Sequence, residues 1–372
     1  MIHLPARRAP DSSIRAAGLG DSSFVNLALG EPSWPLPAPA CRALRRIERC
    51  GYGAHEGEQA LRREIAAYEG VSEEEVLVTA GAQAALFAVA QTYLGPGDAA
   101  LVPSPGFPAY GALTELAGAR AVPYPLIEAS QGLEAGPLIE LLRRTTHVKL
   151  LFLNHPGNPT GCLVSEENLR RIAEACEERG VQVVADEVYR ELRCPPFPRS
   201  PVSLRTVSDK GFLVGSLSKA WAAPGLRVGW LVGDPGLLAP CRAFHAAMTS
   251  HAATTSQAAA LALLQHRHAI LRSAREHLAE RWDALDAAWQ ELTGQQPVLS
   301  RTGLYHWFPV GEDDATFCRK ARNAGVALVP GSAFGQQGRG HVRLSAGASP
   351  DAIRDGVHRL AGLVPISPRS AA

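Results

Sequence analysis

The chain predicts an α/β fold with a large domain, in which helices cover a mostly parallel, mixed sheet, and a smaller α/β domain. Three observations carry this reading. Apolar runs of strand length alternate with segments of helical period along much of the 372 residues. One stretch spells out a whole strand–helix–strand unit, "HVKLLFLNHPGNPTG", "SEENLRRIAEACEERG" and "VQVVADEVY". After it the pattern changes: residues 269 to 292 form one long amphipathic segment, and a smaller mixture of helix and strand follows.

Taken in order, "EVLVT" is a strand, and "AGAQAALFAVAQTYL" is the helix after it, with Leu86, Val89, Ala90, Tyr93 and Leu94 on its apolar face and Gly81 permitting a tight entry. The next clear strand is Val148 to Leu153. Ser165 can cap the helix that follows, Glu166 and Glu167 complement its dipole in the first turn, and Gly180 can end it. Between them Leu169, Ile172, Ala173 and Cys176 keep helical spacing. "VQVVA" and "FLVGS" are two further strands, and the helix "SPDAIRDGVHRL" opens on a serine cap and a proline in its first turn. The division expected is a large domain over 41–260, with 1–40 as an N-terminal arm joining 261–372 in the small domain. The proline-rich "GEPSWPLPAPA" and "RCPPFPRSP" are expected to be ordered loops, and no internal repeat is present.

Composition narrows the function. The chain is 46% hydrophobic and 20% charged, as expected of a soluble globular protein. With 37 basic and 36 acidic residues it offers no field for nucleic acid or a membrane surface, which leaves small molecules as the expected partners. Seven cysteines stand at 41, 50, 162, 176, 194, 241 and 318, never as CxxC, so neither a disulfide framework nor a metal site is indicated. That usage suits a reducing cytoplasm. "MIHLPARRAPDSS" has arginines where a signal peptide needs an apolar core, and no window reaches bilayer length.

Ligands of open α/β sheets sit beyond the carboxyl ends of the strands, and four polar places fall there. Gly81, Ala82 and Gln83 start a helix whose backbone N–H groups suit a phosphate, although many such turns serve packing alone. Asn158 lies in the stiff loop "NHPGNPTG", where a plain ordered turn is the competing reading. Asp186 ends a buried strand and needs a positive or hydrogen-donating partner, with Tyr189 close behind; a structural ion pair would also satisfy it. The fourth place is "GSLSKAWAAPGLRVGW", with Ser216, Ser218 and Lys219 after a strand and Arg227 eight residues beyond the lysine. A lysine partly desolvated beside cations makes a Schiff-base nucleophile, whereas most lysines are solvated surface charges.

Together, "NHPGNPTG", "ADEVY", "SLSKAWAAPGLRVGW", "VPGSAFG" and "VRLSAGAS" resemble, in order and spacing, the class I/II aminotransferases of PLP fold type I, from about residue 27 to 343. The resemblance implies a bound pyridoxal 5′-phosphate (PLP) joined to Lys219 as an aldimine. Lys219 would then shuttle the proton between substrate Cα and cofactor. Asp186 would pair with the ring nitrogen, Asn158 and Tyr189 would donate to the ring oxygen, and Phe107 would stack on the ring. Gly81, Ala82, Gln83, Ser216 and Arg227 would hold the phosphate. Arg343 would bind the substrate α-carboxylate, with Arg339 a competitor that fits the motif less well. Gly30 and Trp34 would cover the substrate from the N-terminal loop. Tyr52 would reach the partner's phosphate in a homodimer. Ala82 departs from the hydroxyl residue common at its position, so that phosphate contact would come from the backbone.

The activity implied is transfer of an amino group between an amino acid and a 2-oxo acid. A C–S β-lyase, or another elimination or cyclisation enzyme, could use the same Lys219, Asp186 and Arg343. A PLP-binding regulator fused to a DNA reader is disfavoured because the fold begins almost at once and carries no basic patch. A nicotinamide enzyme is disfavoured by the missing Gly-x-Gly-x-x-Gly turn. Trp34 and Phe107 together hint at an apolar or aromatic substrate side chain.

Overall fold

The computed structural model describes residues 24–126, 132–194, 202–294 and 301–364. The stretches "MIHLPARRAPDSS" and most of "RCPPFPRSP" lie outside the described residues. The strands are β1 (Val25–Asn26), β2 (Val76–Thr79), β3 (Ala99–Ser104), β4 (Arg120–Pro125), β5 (Val148–Asn154), β6 (Gln182–Asp186), β7 (Phe212–Ser216), β8 (Gly229–Val232), β9 (Tyr305–Pro309), β10 (Val326–Ala327), β11 (Val329–Pro330) and β12 (His341–Ser345).

Seven of them form one sheet in the order β2-β8-β7-β6-β5-β3-β4. The four pairings from β7 to β4 are parallel, while β8 runs antiparallel to both of its neighbours. A parallel sheet must be covered on both faces, which is why its central strands β3, β5, β6 and β7 are almost wholly buried. In β5, Leu151 and Leu153 pack toward the helices Ala135–Arg144 and Glu166–Glu177, whereas Leu150 and Phe152 pack toward Ala82–Tyr93. A second, three-stranded antiparallel sheet runs β11-β12-β9, and β1 pairs with β10 in parallel. The long helix is Arg267–Thr293, closed by Gly294 in the left-handed region, and it packs on Pro350–Arg359.

The local signals act as read. Ser165 Oγ accepts from the Asn168 amide at 3.2 Å, and Ser349 Oγ accepts from Ala352 at the same distance. Gly180 takes φ +65° after its helix. All seven cysteines are free thiols, and among the described residues no helix is long and apolar enough to cross a membrane.

One close approach fixes the middle of the sheet. A Cβ on Gly215 of β7 would overlap the indole of Trp230 on the adjacent β8, which is buried and donates Nε1–H to Glu69 at 2.8 Å. Gly215→Ala is therefore expected to lower unfolding free energy by about 1–3 kcal/mol through overpacking, measured by urea denaturation against the parent chain.

Candidate active site

Strands β2, β3, β5, β6 and β7 all point the same way, so their carboxyl ends meet along one edge of the sheet. There a cavity of about 350 Å³ is lined by residues from each following loop and by Ala28–Glu31, Tyr305 and Arg343 from the other sheets' side. Of the residues picked from sequence, Gly30, Ala82, Gln83, Phe107, Asn158, Asp186, Tyr189, Ser216, Lys219, Arg227 and Arg343 line it. Gly81 sits directly behind, where a Cβ would overlap Arg227 Nη2.

Asp186 is the last residue of β6 and is only 4% exposed. Its Oδ2 accepts from the Tyr110 hydroxyl at 2.8 Å and Oδ1 accepts from the Val188 amide at 3.3 Å. Burial raises the carboxyl to about 6, against the lowering effect of those two donors and of Lys219. Behind it, Asn154 Nδ2 donates to the Asp186 carbonyl at 2.9 Å while Asn154 Oδ1 accepts from the Asn158 amide at 2.7 Å. One asparagine thus ties the Asp186 strand to the Asn158 loop.

Lys219 Nζ donates to the Gly30 carbonyl at 2.6 Å and stands 5.4 Å from the centre of the Tyr189 ring. The other cation lies over a different ring, that of Tyr305, 4.2 Å from its centre. Arg343, on β12 and 2% exposed, donates from Nη1 to Asn158 Oδ1 at 2.8 Å and from Nη2 to the Ala28 carbonyl at 2.6 Å. Its Nε is buried with no hydrogen-bond partner. Arg339 is exposed and does not line the cavity.

The phosphate-type corner is formed by close backbone packing. Gly81 adopts φ +83° at the start of the helix Ala82–Tyr93, and Gly229 lets that start lie against β8, since a Cβ there would fall 2.6 Å from the Ala82 nitrogen. Arg227 itself takes a left-handed φ of +52°, its Nη1 donating to the Pro224 carbonyl at 2.8 Å. Ser216 Oγ accepts from the Ser218 amide at 3.0 Å. A helix N-terminus, a hydroxyl and a guanidinium converging in this way form an anion-binding corner.

Two residues fall elsewhere. Trp34 is packed in the core, stacked on His277 at 5.9 Å with the Arg281 guanidinium 4.9 Å from its ring, and does not line the cavity. The indole is held by the long helix Arg267–Thr293 through His277 and Arg281. Tyr52 is 96% exposed, edge-on to His251, and within one chain it also stays away from the cavity. His155 and His306 are both buried, and burial holds them at about 4 and about 3.

Sequence reasoning missed several contributors. Tyr110 and Tyr305 both line the cavity but stand outside the quoted motifs; only the spacing of Tyr110 three residues after Phe107, on a helix, could have pointed to it. Glu187, immediately after Asp186, is buried and accepts from Leu204 N at 2.8 Å, Ser203 Oγ at 3.1 Å and Arg190 Nη1 at 2.9 Å. Arg190 also reaches Glu69 at 2.9 Å, so a buried ion cluster holds the turn that carries Asp186 and Tyr189.

Comparisons with known proteins agree with this geometry. The family model for aminotransferase class I and II matches residues 22–360. Arginine–pyruvate transaminase AruH of Pseudomonas aeruginosa is 31% identical over 90% of this chain and 88% of its own. An LL-diaminopimelate aminotransferase of Dehalococcoides mccartyi is 29% identical over 91% and 90%. The solved aspartate aminotransferase of Thermus thermophilus with maleate superposes with a TM-score of 0.85 at 26% identity, covering 95% of this chain and all of that one. With the fold, the cavity and these relatives in agreement, the chain belongs to the class I and II aminotransferases.

Proposed function

We propose that the cavity binds PLP through Lys219 and that this chain's own residues there carry out amino transfer between an amino acid and a 2-oxo acid. The observation that carries the reading is the convergence of Lys219, Asp186 and Arg343 on one cavity, the lysine over the Tyr189 ring and the arginine over the Tyr305 ring of a hydrogen-bonded pair. The donor set suits the group: a buried carboxyl raised by desolvation calls for a cationic partner such as a protonated ring nitrogen, and the Gly81–Arg227 corner suits its phosphate. When bound, PLP supplies an electron-accepting ring that stabilises negative charge at the substrate Cα.

The residues would divide the work as follows. Arg343 clamps the substrate carboxylate and fixes which Cα bond faces the lysine. Lys219 Nζ, released from the Gly30 carbonyl, takes the Cα proton and returns it on the far side of the reaction. Asn158, which lines the cavity and whose Oδ1 accepts from Arg343, keeps its NH2 group as a donor for the ligand. Ser216, Arg227 and the start of the helix at Gly81–Gln83 hold the phosphate, and Phe107 offers a ring face. Residues 41–260 would form the cofactor domain and the two ends the small domain. We further read Tyr52, a large aromatic left exposed, as covered by a second copy of the chain, and the free cysteines as those of a cytoplasmic enzyme.

The decisive test is a half-reaction. Adding an amino acid to the PLP-loaded protein should yield one equivalent of 2-oxo acid and convert the cofactor to its amine form, whereas release of ammonia and pyruvate without an acceptor would establish the lyase instead. Lys219→Ala should lose at least about a hundredfold in turnover, and borohydride fixation followed by peptide mass mapping should label Lys219 in the parent chain. Asp186 gives a pH signature as well. Its folded-state value, about 6, is above the unfolded 3.8, so the cofactor-free protein loses stability as pH rises through that window and stays at the lower level above it. Asp186→Asn is expected to be more stable than the parent at pH 7 by up to about 3 kcal/mol without cofactor, the gap closing as pH falls toward 4. Thermal unfolding of both across pH, with and without PLP, measures this, and PLP should stabilise the parent more than the variant.

A further inference from the structure

We propose that Tyr305 is a positioning residue for the reaction, its hydroxyl aiming Tyr189 and its ring face supporting Arg343. This rests on the reading above and concerns a residue outside the motifs that identified the site. Tyr305 begins β9, is 2% exposed and lines the cavity. Its hydroxyl lies 2.8 Å from that of Tyr189, the two rings edge-on with centroids 5.6 Å apart. The Arg343 guanidinium carbon stands 4.2 Å from the Tyr305 ring centre and 4.8 Å from that of Phe334, so two aromatic faces hold the cation.

Hydroxyl geometry decides what the pair can do. Two phenols at 2.8 Å share one hydrogen bond, in which one donates and the other accepts. If Tyr189 is to donate outward to a ring oxygen, Tyr305 must be the donor between them. Burial raises the Tyr305 phenol, but Lys219, Arg343 and the bond to Tyr189 outweigh it and hold Tyr305 below the ordinary tyrosine range despite the opposing Asp186. Tyr189 is pushed up by burial first and then by Tyr305. With Tyr305 as that donor, the hydrogen bonds run from Tyr305 to Tyr189 to the ligand.

The N-terminal segment is shaped around the same hydroxyl. A Cβ at Gly30 would overlap Tyr305 Oη, so residue 30 must be glycine while residue 305 is tyrosine. Gly30 also presents the carbonyl that accepts from Lys219. Tyr305 therefore touches the Gly30 segment that accepts from the lysine, the ring-oxygen donor and the carboxylate clamp at once, and it does so from a strand of the smaller sheet.

Two variants separate the hydroxyl from the ring. Tyr305→Phe keeps the face under Arg343 and removes the donor; the pH midpoint of the bound cofactor's visible absorbance should rise by about half to one unit, with the amino-acid KM within about twofold of the parent. Tyr305→Leu removes the face as well and should raise that KM about threefold to tenfold. A Tyr305→Phe titration superimposable on the parent overturns the hydroxyl's role, and an unchanged KM in Tyr305→Leu overturns the ring's. If the leucine variant fails to fold, the phenylalanine titration decides the proposal. A parent chain that takes up PLP and titrates while the variants match it defeats this inference alone; one that forms no chromophore with PLP defeats the function proposed above and this inference with it.

Discussion

A carboxylate buried at the end of a central parallel strand is the constraint around which the rest is arranged. Asp186 has little water, and its charge can be tolerated only with donors in place. Tyr110 from the helix after β3, the Val188 amide from its own turn and Lys219 from the loop after β7 each answer that demand from a different element. Asn154 then fastens the β6 end to the Asn158 loop. The apolar layers on both sheet faces keep water out and so keep the demand strong.

The cavity also depends on where side chains are absent. Gly81, Gly229 and Gly30 stand where a single carbon would collide with Arg227, with the Ala82 nitrogen or with Tyr305 Oη. Each admits a polar group of the site to a position that packing would otherwise deny it. The backbone, Lys219 and Arg227 approach a ligand-sized space from the sheet edge, and Arg343 approaches it from β12.

Much of this was legible in the sequence, because the informative features are local. Caps at Ser165 and Ser349, the apolar runs of β2, β5, β6 and β7, and the polar residues just beyond them follow from short-range rules that tertiary packing did not override. Residues defined by distant partners were not legible. Tyr305 matters through Tyr189, 116 positions away, and Arg190 through Glu69, 121 away; no spacing rule connects them. Trp34, close to Gly30 in sequence, packs against the long helix rather than into the cavity, where a large apolar ring gains by burial.

The ion cluster behind the 186–190 turn has an evolutionary consequence. Glu69, Glu187 and Arg190 are nearly sealed from solvent, so losing the arginine strands two acids in an apolar interior, and losing either acid unbalances the others. Single-step drift at these positions is therefore closed. Descendant sequences should exchange the cluster only as a set, for instance through neutral acids and a neutral partner together, which makes the helix Gln59–Glu69 and the Asp186 turn a co-inherited pair despite the long stretch of chain between them.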